Sequence, residues 1–288
     1  MQAKVSIITV VFNDKAGFKA TAESVVGQTA FDETEWVVID AASTDGTVNT
    51  IKEYDSKISF WVSEPDKGIY DGMNKAIAKA TGLYLLFLNA GDTLYHVDTI
   101  KNVITHPAFG KADHLSGHTV YTKAEQAIGT SYAPTDITGA YLFKQSLGHQ
   151  STFIKTEKLK QNGGYDISYK IVADAKFFFE DIIINNASYQ RIDEYISNYD
   201  VTGISSTKHQ ENYAERERFL TSALPPRIYK DYKKLVFGEN KLEVILCKLN
   251  NKGFIYNALT TLAILLYAPI ALYNRANMFW RRLNKKRA

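Results

Sequence analysis

Tyr84-Leu85-Leu86-Phe87-Leu88-Asn89-Ala90-Gly91-Asp92 decides the fold. Five apolar residues in a row, bounded by Gly82 and Gly91, read as a strand buried on both faces, as in the interior of a parallel sheet. The run then stops on an amide, two small residues and a carboxylate. Ligands of open α/β sheets bind just beyond the carboxyl ends of the strands. Asp92 is therefore delivered to a place where a hard divalent cation can be held against phosphate oxygens. A plainer reading has Asp92 cap a helix that Thr93-Leu94-Tyr95 lead into.

Outward from this strand, the preceding chain alternates strand and helix. Val5–Phe12 reads as a strand, and Phe18, Ala22, Val25 and Val26 give the next segment a helical stripe. Trp36–Ile39 is a second strand ending on Asp40, and the loop Ala41–Thr47 feeds a helix over Val48–Tyr54. Ile58–Val62 is a third strand, and Ile69–Ala80 a helix closed by Gly82. Repeated strand–helix units imply a Rossmann-like, mostly parallel sheet with helices on both faces. Each strand ends in polar residues: Asn13-Asp14, Asp40, Glu64-Pro65-Asp66 and Asn89/Asp92. In a parallel sheet these four clusters share one edge. No G-x-G-x-x-G follows a strand and no G-x-x-x-x-G-K-[ST] occurs, which argues against a Rossmann dehydrogenase and a P-loop enzyme.

Composition narrows the class. The chain has 288 residues, 45% of them hydrophobic, enough for one good-sized core plus an appendage. A net charge of +3 is too small to point to nucleic acid, although five of the last eight residues are Lys or Arg. The lone Cys247 excludes an intrachain disulfide and fits a reducing compartment. The apolar run at Val5–Phe12 breaks at Asn13-Asp14 without a cleavage site, so a strand is expected there rather than a signal peptide.

Five stretches together carry a resemblance: Val5–Asn13, Ser24 with Gln28-Thr29, Ile39–Thr47, Glu64–Asp71 and Phe87–Asp92. In this order they resemble the family 2 glycosyltransferases of GT-A fold, over roughly residues 4–200. The resemblance implies inverting transfer from a nucleotide-sugar donor, a UDP-sugar first among these, with a divalent metal (Mg²⁺ or Mn²⁺). It puts the donor against Thr9, Val11, Asn13 and Asp40 for base and ribose, against Asp66 and Lys67, and against Asn89, Ala90 and Gly91. Asp92 becomes the metal ligand. Two positions depart from the family: the first carboxylate of its D-x-D motif is here Asn89, and Ala41 stands where a second Asp often follows the first. One carboxylate can suffice, because such a cation takes most of its shell from phosphate and water. Lys67 is equally well read as a solvated loop lysine.

Beyond Asp92 the pattern loosens. Val97–His106 reads as a helix, and Leu115–Tyr121 and Ile128–Tyr132 as short strands, as suits an acceptor-side half. His114 and His118 lack a third partner for zinc. Gly148–Ile154 sets His149 at the start of an apolar strand, and Gly163–Asp166 is a turn before a helix that Asp174 opens. Read by themselves, His149 is structural and Asp174 is an N-cap or first-turn carboxylate. In the resembled family, a carboxylate at the place of Asp174 is the catalytic base, and a histidine matching His149 lies near metal and donor. Glu180 and Asp181 are weaker candidates.

The expected organisation is a transferase domain over 1–204, with a donor half to 92 and an acceptor half from 93, followed by a helical tail over 205–288. Gln210–Ala223 reads as a helix, Pro225-Pro226 as a break, and Arg227–Lys248 as basic and amphipathic. Phe254–Tyr273 is uncharged and long enough to span a bilayer. Basic residues flank both of its ends, which favours an interfacial anchor on anionic lipid over a span. Helices buried in a homodimer are the alternative. The sequence thus points to a cytoplasmic enzyme, peripheral on the inner face of the membrane, acting on a glycan or lipid-linked glycan. A sugar nucleotidyltransferase and an idle nucleotide- or glycan-binding protein stand as runners-up.

Overall fold

The computed structural model describes residues 3–124, 126–202 and 208–237. The chain divides into two compact units, Met1–Pro226 and Arg227–Ala288. The first unit opens with β1 (Val5–Val11), α1 (Lys15–Val26), β2 (Thr34–Asp40), α2 (Thr47–Glu53), β3 (Phe60–Ser63), α3 (Ile69–Lys79) and β4 (Tyr84–Phe87). All seven residues of β1 and all four of β4 are buried, as the apolar runs require. β1 pairs in parallel with both β2 and β4, and β2 with β3. Four carboxyl ends therefore share one edge of the sheet.

The second half brings two further strand ends to that edge. It contains β5 (Thr93–Leu94), α4 (Thr99–Thr105), β6 (His114–Lys123), β7 (Gln126–Ser131), α5 (Gly139–Lys144), β8 (Thr152–Lys155), α6 (Thr156–Gln161), α7 (Ala173–Phe178) and β9 (Tyr189–Asp200). The nine-stranded sheet runs β3-β2-β1-β4-β8-β6-β9-β5, with β7 on β6. β8 is antiparallel to both β4 and β6, so β6 runs in the same sense as β4, and β9 is parallel to β6. Tyr121 and Tyr199 thereby reach the edge already reached by Asp92.

Packing explains why these segments hold. α1 buries Phe18, Thr21, Ala22 and Val25, spaced for one helical face. Phe18 stacks on Trp36 at 5.8 Å and 10°, and the Trp36 indole donates to Thr9 Oγ1 at 3.0 Å. Ile7, Leu86, Leu88, Phe153 and Ile196 continue the same core. Truncating Leu86 there to Ala would cost about 2–5 kcal/mol. Gly82 is required where α3 hands over to β4, because a Cβ would sit 2.6 Å from the Ser6 nitrogen. Ser24 and Gln28 pin the chain after Asp92: Ser24 Oγ accepts from Leu94 N, Gln28 Nε2 donates to His96 O, and Gln28 Oε1 accepts from Ile100 N.

Several elements differ from the sequence reading. Thr93-Leu94 is a short strand on Asn198 and Ser197 of β9, and the next helix starts only at Thr99, so Asp92 caps nothing. His149 lies in a 3₁₀ turn, His149–Ser151, with the strand beginning at Thr152. Phe179–Ile184 continues α7 as a π-helical turn. The helix His209–Ala223, α8, packs within the first unit by burying Phe219 and Leu220. Its Glu215 accepts from the backbone N–H groups of Lys170, Ile171 and Val172.

The described part of the second unit begins at Arg227, within the helix Pro226–Phe237, α9, in which Ile228, Tyr229 and Tyr232 alternate with Lys230, Lys233 and Lys234. Among the described residues no helix is long and apolar enough to cross a membrane. Phe254–Tyr273 and the basic end of the chain lie outside the described residues.

Candidate active site

A cleft of about 680 Å³ opens at the shared strand edge. Its walls come from the end of β1, the first turn of α3, the loop Asn89–Asp92, the turn before β8, the segment from Lys170 to Asp174, and the end of β9. Thr21 of α1 sets the loop after β4. Its hydroxyl donates to Asp92 O at 2.7 Å and receives Gly91 N at 3.1 Å. Gly91 takes φ +93°, a left-handed conformation that favours glycine. Asp92 is only 4% exposed, and its Oδ1 accepts from Asp200 N at 3.1 Å. Burial pushes its carboxyl up to about 7, against the opposing pull of the Asp200 N–H and the His149 charge.

A line of side chains crosses the cleft. Asn89 Nδ2 lies 3.4 Å from His149 Nε2, and His149 Nδ1 lies 2.8 Å from Asp174 Oδ2. Tyr70 OH donates to Asp174 Oδ1 at 2.7 Å. Asp174 is not the N-cap of α7, because Val172 holds that position. Burial drives the Asp174 carboxyl upward, but the hydrogen bond and charge of His149 and the Tyr70 hydroxyl outweigh it. The group is held below the usual carboxylate range. His149 is displaced the opposite way: burial depresses it, and the bond and charge of Asp174 raise it overall. An imidazole donating to an ionised carboxylate accounts for both directions.

The fold and this cleft can be set beside known proteins. Residues 6–164 match the family model described as glycosyl transferase family 2. The chain belongs to that family. An uncharacterized glycosyltransferase of Mycobacterium tuberculosis is 30% identical over 212 residues, covering 72% of this chain and 78% of its own. A PGL/p-HBAD biosynthesis glycosyltransferase of Mycobacterium bovis is 30% identical over 176 residues, covering 60% and 67%. Among solved structures, S. aureus TarS 1–349 in complex with UDP-GlcNAc superposes with a TM-score of 0.63 at 18% identity, covering 81% of this chain and 71% of that one. A Pyrobaculum calidifontis mannosyltransferase in complex with GDP-Man and Mn²⁺ gives 0.58 at 17%, covering 92% and 81%. The mixed sheet flanked by helices is thus of the GT-A kind, and the protein is a glycosyltransferase.

In the transferase, Val11, Asn89, Ala90, Gly91, Asp92, His149 and Asp174 all line the cleft. Thr9, Asn13, Asp40, Asp66 and Lys67 do not. Thr9 is fully buried under Trp36. Asn13, at φ +48°, accepts from Thr44 N at 2.8 Å, which ties β1 to the loop after β2. Asp40 is fully buried; Oδ2 accepts from Ser43 N and Ser63 Oγ, while Oδ1 has no partner among the described residues. Asp66 takes Gly68 N, and the Lys67 carbonyl accepts from Lys170 Nζ at 2.9 Å. His114 and His118 are each spent on a separate carboxylate, Asp181 at 2.7 Å and Asp193 at 3.0 Å, and neither is a metal ligand candidate.

Sequence reasoning missed Phe12, which is 63% exposed at the cleft, and also Tyr70, Gln150, Lys170, Tyr199 and Asp200. Phe12, Tyr70 and Gln150 sit in or beside stretches already singled out, so their signal was position. Asp200 carries none, since an Asp ending a strand reads as turn chemistry.

The donor set at Asp92 can be tested against a metal. Among the described residues no three His, Cys, Asp or Glu side chains form a cation cage. One buried carboxylate with a raised pKa fits a cation that brings phosphate and water as its other ligands.

Proposed function

We propose that this transferase is an inverting, metal-dependent enzyme. It moves a sugar from a nucleotide-diphosphate sugar, a UDP-sugar first, to a hydroxyl of a glycan, and the glycan is lipid-linked. The observation that carries the reading is the pairing of His149 with Asp174 in the cleft that Asp92 also lines. Asp174, the proposed base, accepts the acceptor's hydroxyl proton while the oxygen attacks the anomeric carbon opposite the leaving diphosphate. Attack from that side inverts the centre and needs no covalent intermediate. His149 holds the carboxylate oriented. Val11 and the loop Asn89–Gly91 form the donor side. A Mg²⁺ or Mn²⁺ ion held by Asp92 would supply charge neutralisation for the departing diphosphate.

The structural neighbours support a nucleotide-sugar donor: TarS in complex with UDP and with UDP-GlcNAc, and the mannosyltransferase in complex with GDP-Man and Mn²⁺. Relatives named for PGL/p-HBAD and teichuronic acid biosynthesis support an acceptor that becomes surface polysaccharide. The division proposed is a donor half to 92, an acceptor half to 204 and a tail from 205, whose first helix, α8, packs back on the acceptor half through Glu215. The lysines and apolar residues of α9 suit a peripheral seat on anionic lipid at the cytoplasmic face. Incubating the enzyme with UDP-sugars, Mn²⁺ and a lipid-linked acceptor tests the reading. Inverted product and free nucleoside diphosphate are expected. A retained anomer, or release of pyrophosphate, overturns it.

A further inference from the structure

Tyr70 stands in the first turn of α3, 5% exposed, its ring edge-on to Tyr165 at 5.3 Å. Its hydroxyl lies between two acceptors, 2.7 Å from Asp174 Oδ1 and 2.8 Å from the carbonyl oxygen of Ile171. A phenol has one proton, so only one acceptor receives it at a time. An ionised carboxylate takes it in preference to a neutral carbonyl. Burial, reinforced by the Asp174 charge, holds the phenol well above its ordinary pKa, so the group stays a donor.

We infer that Tyr70 is a positioning residue for the proposed base, donating to Asp174 while the carboxylate is ionised and turning to Ile171 O once Asp174 has taken the acceptor's proton. The inference rests on reading Asp174 as the base. Two donors, His149 and Tyr70, stabilise the ionised form and by themselves make a weak base. The second acceptor removes half of that handicap. When the proton arrives, the phenol O–H turns to donate to Ile171 O, and the Tyr70 oxygen is free to accept the new Asp174 O–H. In both states the Asp174 carboxyl and the Tyr70 hydroxyl stay bonded to each other, and only Ile171 O gives up its donor while Asp174 is ionised.

The step balances without another reactant. The acceptor O–H bond breaks, and that oxygen forms a bond to the anomeric carbon. The bond from this carbon to the diphosphate oxygen breaks, its electron pair leaving with the diphosphate. The proton ends on Asp174, and the Tyr70 proton never leaves its oxygen. Around Asp174 stand His149 before β8, Tyr70 of α3, Tyr165 after α6 and the Arg216 charge from α8. Of these, His149 is the group whose ordinary pKa lies nearest neutrality, and Asp174 raises it.

Tyr70→Phe keeps the ring and removes the switch. Turnover should fall about 10–100-fold, the cost of leaving the new, buried Asp174 O–H without an acceptor. The acid limb of kcat should move to higher pH, because ionised Asp174 loses a donor. KM for the donor sugar should stay within about twofold, since the phenol faces the base. Native turnover with an unmoved acid limb overturns the inference, and so does slow turnover with an unmoved limb, the mark of a merely structural role. Should the Phe variant not fold, fluorotyrosine at position 70 decides: the more acidic phenol should move the limb to lower pH, and no shift overturns the inference. Asp174→Asn run alongside separates the two levels. If it abolishes turnover while Tyr70→Phe leaves turnover and limb native, only the Tyr70 inference fails; native turnover in Asp174→Asn removes the base and the inference with it.

Discussion

His149 Nδ1 lies 2.8 Å from Asp174 Oδ2, with both side chains only 15% exposed. Water screens such a pair weakly, so each partner fixes the protonation of the other. Asn89 on the far side of the ring extends the constraint. A neutral His149 Nε2 accepts from the Asn89 amide, and a protonated one needs the amide turned. Asn89 Oδ1, buried without a partner among the described residues, is the atom such a turn would use.

The pair makes stability pH-dependent with a definite sign. His149 is raised from 6.5, so its contribution is full below that value and is lost as pH climbs through the higher folded value. Asp174 is lowered from 3.8, so its contribution is full above that value and is lost as pH falls through the lower folded one. Between roughly pH 4 and pH 6.5 both act. His149→Gln should lower stability by about 1–3 kcal/mol in that window and by less at pH 9. Melting scans across pH check this, and a pH-independent loss would contradict the ion pair.

Asp92 carries the opposite sign. Its carboxyl is raised from 3.8 to about 7, so keeping it ionised costs stability above pH 7 and costs nothing below pH 3.8. In chelator, Asp92→Asn should raise the melting temperature at pH 8 and leave it unchanged at pH 3.5. The shift of 7 − 3.8 ≈ 3 caps the gain at about 4 kcal/mol. The same variant should lose any Mn²⁺-dependent stabilisation by UDP and with it turnover. Full turnover of the native enzyme in chelator would remove the metal from the mechanism.

The sequence shows some of this and hides the rest for physical reasons. β1 and β4 are legible because a strand buried on both faces has to be apolar throughout. The polar ends are legible because parallel pairing puts them on one edge, and Asn89, Asp92, His149 and Asp174 do meet there. Five other expected donor residues lie off the cleft wall, since a polar residue at a strand end serves its own turn as readily as a ligand, as Asn13 and Asp66 show. Tyr70 and Asp200 act through partners 104 and 108 positions away, a pairing that no local periodicity encodes. Thr93-Leu94 reads in sequence only as the lead-in to a helix because two residues carry no period, and Asn198 and Ser197 across the ladder decide them.

The tail prediction is one of salt dependence. The full chain should float with vesicles containing anionic lipid at low salt and dissociate as the salt is raised, because its lysines act over a Debye length of about 10 Å at 0.1 M. Truncation after Asn251 should weaken flotation while UDP binding persists. A full chain that stays off the vesicles at low salt favours a homodimer, which sedimentation would show.

Asp174→Asn gives the sharpest test of the site, because the surroundings tolerate the amide. Native Asp174 accepts at both oxygens, from His149 and from Tyr70. Asn keeps one acceptor for His149, and its NH₂ can donate to the Tyr70 oxygen once that phenol turns to Ile171 O at 2.8 Å. The exchange loses the anion but no hydrogen bond, so the fold should survive with a small change in melting temperature. Catalysis has no such escape, since an amide takes up no proton at neutral pH. Turnover should drop about 10²–10⁴-fold, the usual share of a general base. UDP affinity should hold, because no contact of the Asn89–Asp92 loop runs through the lost charge except by way of His149. Turnover and isothermal UDP binding, measured on one preparation, give both halves. Near-native turnover would reduce Asp174 to a structural partner of His149, and a collapse of UDP binding would place it on the donor side instead.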